Sequence, residues 1–224
     1  MNFRAEKTDG GAARIYIYGD IVSDSGFKWS ADDVAPREIV DKLAVIGESD
    51  VDIFINSGGG NVFAGFAIYN AIKQLKGKKT VYIDGLAASI ASVIAMAGDE
   101  IKVYDNSYMM IHRAWSSAAG NAAELRETAD ILERLDASIL DIYKTRFNVS
   151  EDKLKIMIDA ETWLDGSECA DMLGAVLMGE QKAAAYARSE CCYKHKPECM
   201  NIYADDEQAY RRLQAERLKI ELGL

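Results

Sequence analysis

The chain has 224 residues and a formal net charge of −10, and 49% of its residues are hydrophobic. This length fits one globular domain with a short appendage. The acidic charge argues against sequence-independent binding to nucleic acid, which requires a basic surface. No apolar run reaches the roughly 18 residues of a membrane span, and the N-terminal stretch lacks the apolar core of a secretory signal. All four cysteines lie in the last quarter of the chain, which favours the cytoplasm over a disulfide-stabilised secreted fold.

Strand and helix patterns alternate along the first half of the chain. β-branched and aromatic residues predict strands at residues 14–21, 51–57 and 79–85. Helices are predicted to follow the second and third strands. An alternation of this kind is typical of an α/β fold with a mainly parallel, covered sheet.

The first helix is predicted within residues 30–47. Ser30, with Asp33 three residues later, has the pattern of a helix cap. Pro36 then lies in or just before the first turn. The apolar stripe of this helix comprises Ile39, Val40, Leu43 and Ile46.

The second half of the chain contains a long amphipathic helix of about seven turns, predicted from residue 121 to about residue 147. One or two strands precede it within residues 100–112. Two short helices follow, at residues 150–160 with Ser150 as cap and at residues 166–176, and a last strand lies near residues 175–179. We therefore expect a main domain at residues 1–182 and a charged tail with a helix at residues 183–224.

A glycine-rich loop, NSGGGNVFAG, lies between a predicted strand and a predicted helix. Gly60 and Gly65 have the spacing of a phosphate-binding P-loop, but Phe66 and Ala67 stand where that motif requires Lys and Ser or Thr. The backbone N–H groups of such a loop can instead stabilise an oxyanion. The alternative interpretation is a turn that requires positive φ angles.

Ser89 lies at a predicted strand-to-helix turn in the stretch DGLAASIASVIAMAG. A serine at this position could attack a carbonyl group, and the N–H that follows it could stabilise the resulting negative charge. The alternative is an ordinary serine cap of the next helix.

His112 ends the apolar stretch SYMMIH, so its ring is expected at the edge of the sheet. Imidazole has the near-neutral pKa that a base needs to accept a serine proton. The alternative is a structural histidine that makes one hydrogen bond. An acid that orients the imidazole could be Asp159, Glu161 or Asp165, and spacing does not choose among them, because such partners meet in space.

Five stretches of the chain resemble the Clp protease proteolytic subunit family of serine peptidases, and in particular its phage and prophage head-maturation branch. They are INSGGGNVFAGFAIYNAIK, VYIDGLAASIASVIAMAGDEI, YMMIHRAW, GNAAELRETADIL and ETWLDGSECADMLGAV. They cover about residues 14–178. The resemblance implies a crotonase-like Clp-protease fold of repeated ββα units, from which the long helix protrudes as a handle.

The same resemblance implies roles for individual residues. Ser89 would be the nucleophile and His112 the general base. Counting back from TWL places Glu161 at the position of the triad acid, with Asp159 as the alternative. The oxyanion donors would be backbone N–H groups at Gly60 or Asn61 and at Ile90. The family uses no metal and no organic cofactor.

The resemblance also implies an oligomer and a class of substrate. The family forms heptameric rings, often stacked in pairs, whose active sites face an inner chamber and cleave polypeptides. The phage branch suggests capsid or scaffold protein as substrate, in a bacterial or phage-infected cytoplasm. The axial loops that engage an AAA+ unfoldase are not found here, so ATP-independent and partner-assisted modes both stay open. Two alternative functions are a crotonase-type acyl-CoA enzyme and a catalytically idle capsid-assembly module.

The tail stretch CCYKHKPEC brings Cys191, Cys192, His195 and Cys199 together in sequence. These residue types can bind zinc, but adjacent cysteines with isolated further ligands do not have a standard spacing. We therefore predict no metal site there.

Overall fold

One mixed eight-stranded sheet forms the centre of the computed structural model, which describes residues 6–7 and 12–179. The strands are β1 (Glu6–Lys7), β2 (Ala13–Tyr18), β3 (Val51–Ser57), β4 (Lys79–Ala88), β5 (Glu100–Val103), β6 (Tyr108–Ile111), β7 (Thr162–Asp165) and β8 (Val176–Leu177). The spatial order is β1-β2-β3-β4-β5-β8, with β6 paired to β4 and β7 paired to β6. Only β1–β2 and β6–β7 are antiparallel among the described pairs.

Helices connect most of these strands. They are α1 (Pro36–Ile46), α2 (Val62–Lys73), α3 (Ile90–Ala95), α4 (Ala122–Lys144), α5 (Glu151–Asp159) and α6 (Gly166–Leu173). The predicted α/β fold with a parallel-dominated sheet is confirmed. Within the described ranges, no helix is both long enough and apolar enough to cross a membrane.

The hydrophobic core lies on one face of the sheet. Isoleucine and valine side chains of β2, β3 and β4 are fully buried there, together with the apolar residues of α1, α2 and α3. On the opposite face the rings of Tyr16, Phe54 and Tyr82 stack across the three strands, with centroids 5.0 and 4.7 Å apart. These three aromatic residues stay partly exposed. The sequence predicted a covered sheet, and in the structure the face that packs against the helices is buried, whereas the aromatic face is only partly covered.

The start of the first helix differs from the prediction. α1 begins at Pro36, and the residue before it makes no side-chain cap bond. Ser30 is therefore not a cap, because the buried Asp33 carboxylate already accepts the backbone N–H of Ser30 at 3.0 Å and fixes the preceding loop. Val40 is exposed, whereas the other three apolar positions of the predicted stripe are buried.

Two strand predictions also change. β2 ends at Tyr18 rather than at residue 21, and β4 continues beyond the predicted residue 85 to Ala88. The short antiparallel β7 was not predicted. The long helix is confirmed as α4, although it ends at Lys144, and Ser150 caps α5 as predicted. The tail at residues 183–224, with Cys191, Cys192, His195 and Cys199, lies outside the described residues.

Candidate active site

Ser89 occupies the turn between β4 and α3 in an unusual backbone conformation. Its φ is 54° and its ψ is −129°, and its side chain makes no hydrogen bond that caps α3. A positive φ is rare for a residue other than glycine and costs about 1–3 kcal/mol, so surrounding contacts must hold it. One of these is the bond from the Ser89 N–H to the Met110 carbonyl, at 3.0 Å. Ser89 therefore does not act as an ordinary helix cap.

The pairing of β4 with β6 brings His112 beside Ser89. These strands are parallel, with Ala88 opposite Met110, so both chains leave the sheet at the same edge. The His112 Nε2 lies 2.8 Å from the Ser89 Oγ, and 12% of the histidine side chain is exposed. The imidazole is thus placed to accept the proton of the serine hydroxyl.

The register of β6 and β7 explains which acid faces the histidine. Ile111 pairs with Thr162 in this antiparallel ladder, and one further step places Glu161 opposite His112. The Glu161 Oε2 lies 4.0 Å from the His112 Nδ1, and only 7% of the glutamate side chain is exposed. Glu161 also has a positive φ, of 51°. The carboxylate therefore faces the ring nitrogen that is turned away from Ser89.

The two other candidate acids have different partners. The Asp159 carboxylate accepts a hydrogen bond from the Arg113 Nε at 2.5 Å. Asp165 caps α6 by accepting the Glu168 N–H at 2.8 Å, and the Glu168 carboxylate accepts the N–H of Asp165 in return. Of these three acids, all within the described part of the chain, Glu161 alone has a carboxylate oxygen within 4.0 Å of an imidazole nitrogen of His112.

The glycine loop packs directly against the serine turn. Gly59 and Gly60 adopt φ angles of 97° and 138°. A Cβ at position 59 would lie 2.7 Å from the Ser89 Cβ, and one at position 60 would lie 2.2 Å from the Ile21 carbonyl oxygen. The interpretation as a turn that needs positive φ therefore applies, and the bare backbone of Gly59 lies against Ser89. Stabilisation of an oxyanion by this loop stays a prediction.

The predicted oxyanion donors differ in their availability. The Asn61 side chain caps α2, and the Asn61 N–H donates to the Ile21 carbonyl at 2.7 Å, so this N–H is already engaged. Gly60 is exposed and directly follows Gly59, which packs against Ser89. Ile90 is the first residue of α3, where an N–H has no acceptor within its own helix. Gly60 and Ile90 are therefore the two positions that we retain as candidate oxyanion donors.

Sequence reasoning missed a buried polar contact beneath the nucleophile. The Ser92 hydroxyl donates to the Ser89 carbonyl at 2.5 Å and lies 2.7 Å from the Tyr143 hydroxyl, which reaches it from α4. Burial raises the pKa of Tyr143. A tyrosine on the apolar face of the long helix was the one available signal, since a buried hydroxyl requires a polar partner.

No cluster of three or more His, Cys, Asp or Glu side chains within the described part of the chain is arranged to hold a metal ion. The chemical groups that the site does bring together are a hydroxyl, an imidazole, a carboxylate and backbone N–H donors. These are the groups of serine-based acyl transfer.

Comparison with known proteins identifies the family of the chain. The Clp protease family model matches residues 27–175, which is more than half of the chain. An ATP-dependent Clp protease proteolytic subunit of Bacteroides fragilis is 32% identical over 133 residues, which cover 58% of this chain and 64% of that protein. A protein of the same description from Deinococcus radiodurans is 34% identical over 109 residues, covering 48% of this chain and 53% of that protein. The matched part of the chain thus spans less than two thirds of the length of these relatives. On the match of the family model, the chain belongs to the Clp protease family.

Proposed function

We propose that this protein is a serine endopeptidase that hydrolyses peptide bonds with Ser89 as nucleophile. The observation that carries the proposal is the 2.8 Å contact between the Ser89 Oγ and the His112 Nε2, made by a serine that does not cap its helix. A nucleophile within hydrogen-bond reach of a base is the geometric signature of covalent catalysis. The family match supports the same chemistry.

In the first half of the reaction, the His112 Nε2 accepts the hydroxyl proton while the Ser89 Oγ attacks the substrate carbonyl carbon. The N–H groups of Gly60 and Ile90 donate to the oxyanion of the tetrahedral intermediate. The imidazolium then gives its proton to the leaving amine, the C–N bond breaks, and an acyl-enzyme ester remains on Ser89. Water activated by His112 hydrolyses this ester and regenerates the free serine.

Glu161 stabilises the imidazolium that forms in each half-reaction. At 4.0 Å from the His112 Nδ1, its carboxylate acts through charge rather than through a hydrogen bond. A hydrogen bond requires the two atoms to approach by about 1 Å. Catalytic contacts of this kind are often long in the absence of substrate and shorten in the transition state.

We also propose that the protein works as a homo-oligomer, a heptameric ring or a stacked pair of rings. The support is the family match together with two exposed apolar residues, Leu125 and Ile131, on the handle helix α4. An apolar side chain that is exposed on one subunit is stabilised when a neighbouring subunit buries it. Native mass spectrometry tests the proposal. Wild type is expected as a heptamer or its multiple, L125D/I131D as smaller species, and a monomeric wild type would contradict it.

The substrate that we propose is a polypeptide, specifically capsid or scaffold protein, in the cytoplasm of a bacterium or a phage-infected host. The resemblance to the phage branch of the family is the only support for the viral substrate. Cleavage of an unfolded protein without ATP would favour the ATP-independent mode. A requirement for an ATP-driven unfoldase would favour the partner-assisted mode, and the relatives in Bacteroides fragilis and Deinococcus radiodurans are named as ATP-dependent.

Reaction with a fluorophosphonate tests the proposed nucleophile, because ordinary serine hydroxyls do not react with this reagent. We expect one adduct in wild type by intact mass, mapped to Ser89 by peptide analysis, and none in S89A or H112A. S30A provides a matched control, since Ser30 lies in an exposed loop. Absence of the wild-type adduct, or its persistence in S89A, would contradict the proposal.

A further inference from the structure

We propose that Arg113 is a positioning residue that holds His112 in line with Ser89. This inference rests on the proposed function and adds a residue to it. Arg113 directly follows the histidine, and its guanidinium joins the two helical segments that lie next to the site. It contacts Asp159 at the end of α5 and Asp136 on α4.

The guanidinium of Arg113, which belongs to the same chain segment as His112, donates hydrogen bonds to two different carboxylates; we call this pair of contacts the fork. The Arg113 Nε donates to the Asp159 Oδ1 at 2.5 Å, and its Nη1 donates to the Asp136 Oδ2 at 3.3 Å. The other oxygen of Asp136 accepts the backbone N–H of Ala114 at 2.8 Å. The side chain and the main chain on the C-terminal side of His112 are thus both fixed to α4.

The fork lies where the sheet no longer restrains the backbone. β6 ends at Ile111, whose pairing with Thr162 is the last of the ladder, and the described chain has no regular element from residue 112 to residue 121. His112 therefore lies between the last sheet pair and the Ala114–Asp136 bond. This second anchor is the Asp136 carboxylate that Arg113 also contacts, so Arg113 helps to hold the backbone that directs the imidazole.

The same guanidinium restrains the segment that carries the acid. Asp159 precedes Glu161 by two residues, and Glu161 has a positive φ outside the helix and the strand that flank it. Arg113 therefore joins the base segment and the acid segment on the side of the site away from Ser89. Its geometry bears on the distance between His112 and Glu161 as well as on the contact with the serine.

The solvent exposure of the Arg113 side chain distinguishes a role in positioning His112 from a role in stabilising the fold. The Arg113 and Asp159 side chains are 57% and 50% exposed, and an ion pair this accessible contributes little to folding stability. Asp136 is only 17% exposed, but it keeps the backbone N–H of Ala114 as a donor when Arg113 is replaced. A small displacement of a catalytic group nevertheless has a large effect on rate. Loss of Arg113 is therefore expected to slow the chemistry while leaving the fold intact.

The test compares R113Q and D159N with R37Q, which removes an equally charged arginine from the exposed Arg37–Asp41 pair on α1. The readouts are the rate of fluorophosphonate reaction at Ser89, kcat and KM for a short peptide ester, and the midpoint of thermal unfolding. We expect R113Q to lower the labelling rate and kcat by about tenfold or more, with KM and the midpoint unchanged. R37Q should match wild type.

Two further variants sharpen the result. R113K keeps the charge but not the two-pronged fork, so it should recover part of the rate. R113Q/D159N should be no slower than R113Q, since R113Q already removes the Arg113–Asp159 contact that D159N breaks. The proposal is overturned if R113Q reacts with the fluorophosphonate as fast as R37Q does. It is also overturned if the lower rate of R113Q is explained by a fraction of unfolded protein, or if the rate losses of R113Q and D159N add in the double variant. Failure of wild type itself to label would overturn the proposed function and this assignment with it.

Discussion

Replacing Gly59 by alanine tests how closely the glycine loop supports the nucleophile. The new Cβ would lie 2.7 Å from the Ser89 Cβ and 2.8 Å from the Ala88 carbonyl oxygen. Carbon atoms in contact are ordinarily about 3.5–4.0 Å apart, so the serine turn or the loop must move by about 1 Å. A displacement of that size at a reacting group lowers the rate about 100-fold.

Gly47 offers a matched control for the backbone strain. It also has a positive φ, of 67°, but a Cβ there would meet no heavy atom within 4 Å. Alanine at either position takes on an unfavourable backbone conformation that costs about 1–3 kcal/mol. G47A should therefore lose stability alone, whereas G59A should lose both stability and reactivity.

The assay measures the rate of fluorophosphonate reaction at Ser89 by intact mass, beside urea unfolding of each variant. The expected order is wild type and G47A together, with G59A about 100-fold slower. If G59A reacted as fast as G47A, the loop would not support the serine turn, and the reasoning from close packing would be refuted.

The remaining predictions concern the acid, the buried hydroxyls and the half-buried carboxylate of Asp84. E161Q should lower kcat about 100- to 1000-fold, because a charge 4.0 Å from His112 stabilises the imidazolium by about 4 kcal/mol at an effective dielectric constant of about 20. E161D should retain part of the rate. An unchanged kcat in E161Q would rule out this role of Glu161. S92A should lower the free energy of unfolding more than Y143F does, because S92A leaves the buried Tyr143 hydroxyl unpaired, at a cost of about 1–3 kcal/mol. A lower free energy of unfolding for Y143F than for S92A, measured in urea, would contradict this. Burial raises the pKa of Asp84, so its contribution to stability is fully present below pH 3.8 and is lost as the pH rises through the raised pKa. The free energy of unfolding of D84N minus that of wild type should therefore grow with pH over this range, and a constant difference in unfolding titrations would show that Asp84 is not desolvated.

The elements with a clear period could be predicted from the sequence. The strand Val51–Ser57 has the bounds that its β-branched residues indicate, and α4 follows its amphipathic period. Ser89 and His112 could be paired as an expectation, because a parallel sheet brings the ends of its strands to one edge. The packing of Gly59 against Ser89 could not be predicted, because sequence does not say which atoms meet across the loop.

The choice among the acids depended on a register that the sequence does not contain. β7 has four residues, too few for a period, and its pairing with β6 brings Glu161 rather than Asp165 to the histidine. Ser30 failed as a cap for a similar reason. The pattern of Ser30 and Asp33 is local, but Asp33 instead organises the preceding loop through backbone N–H groups.

Cleavage of a peptide bond by Ser89 is the central claim, and mapping new N-termini tests it most directly. An unfolded protein substrate is incubated with the assembled wild type, S89A and H112A, and the products are sequenced by mass spectrometry. The account predicts internal cleavages with wild type and none with either variant. The same fragments from S89A, or intact substrate with an assembled wild type, would contradict it.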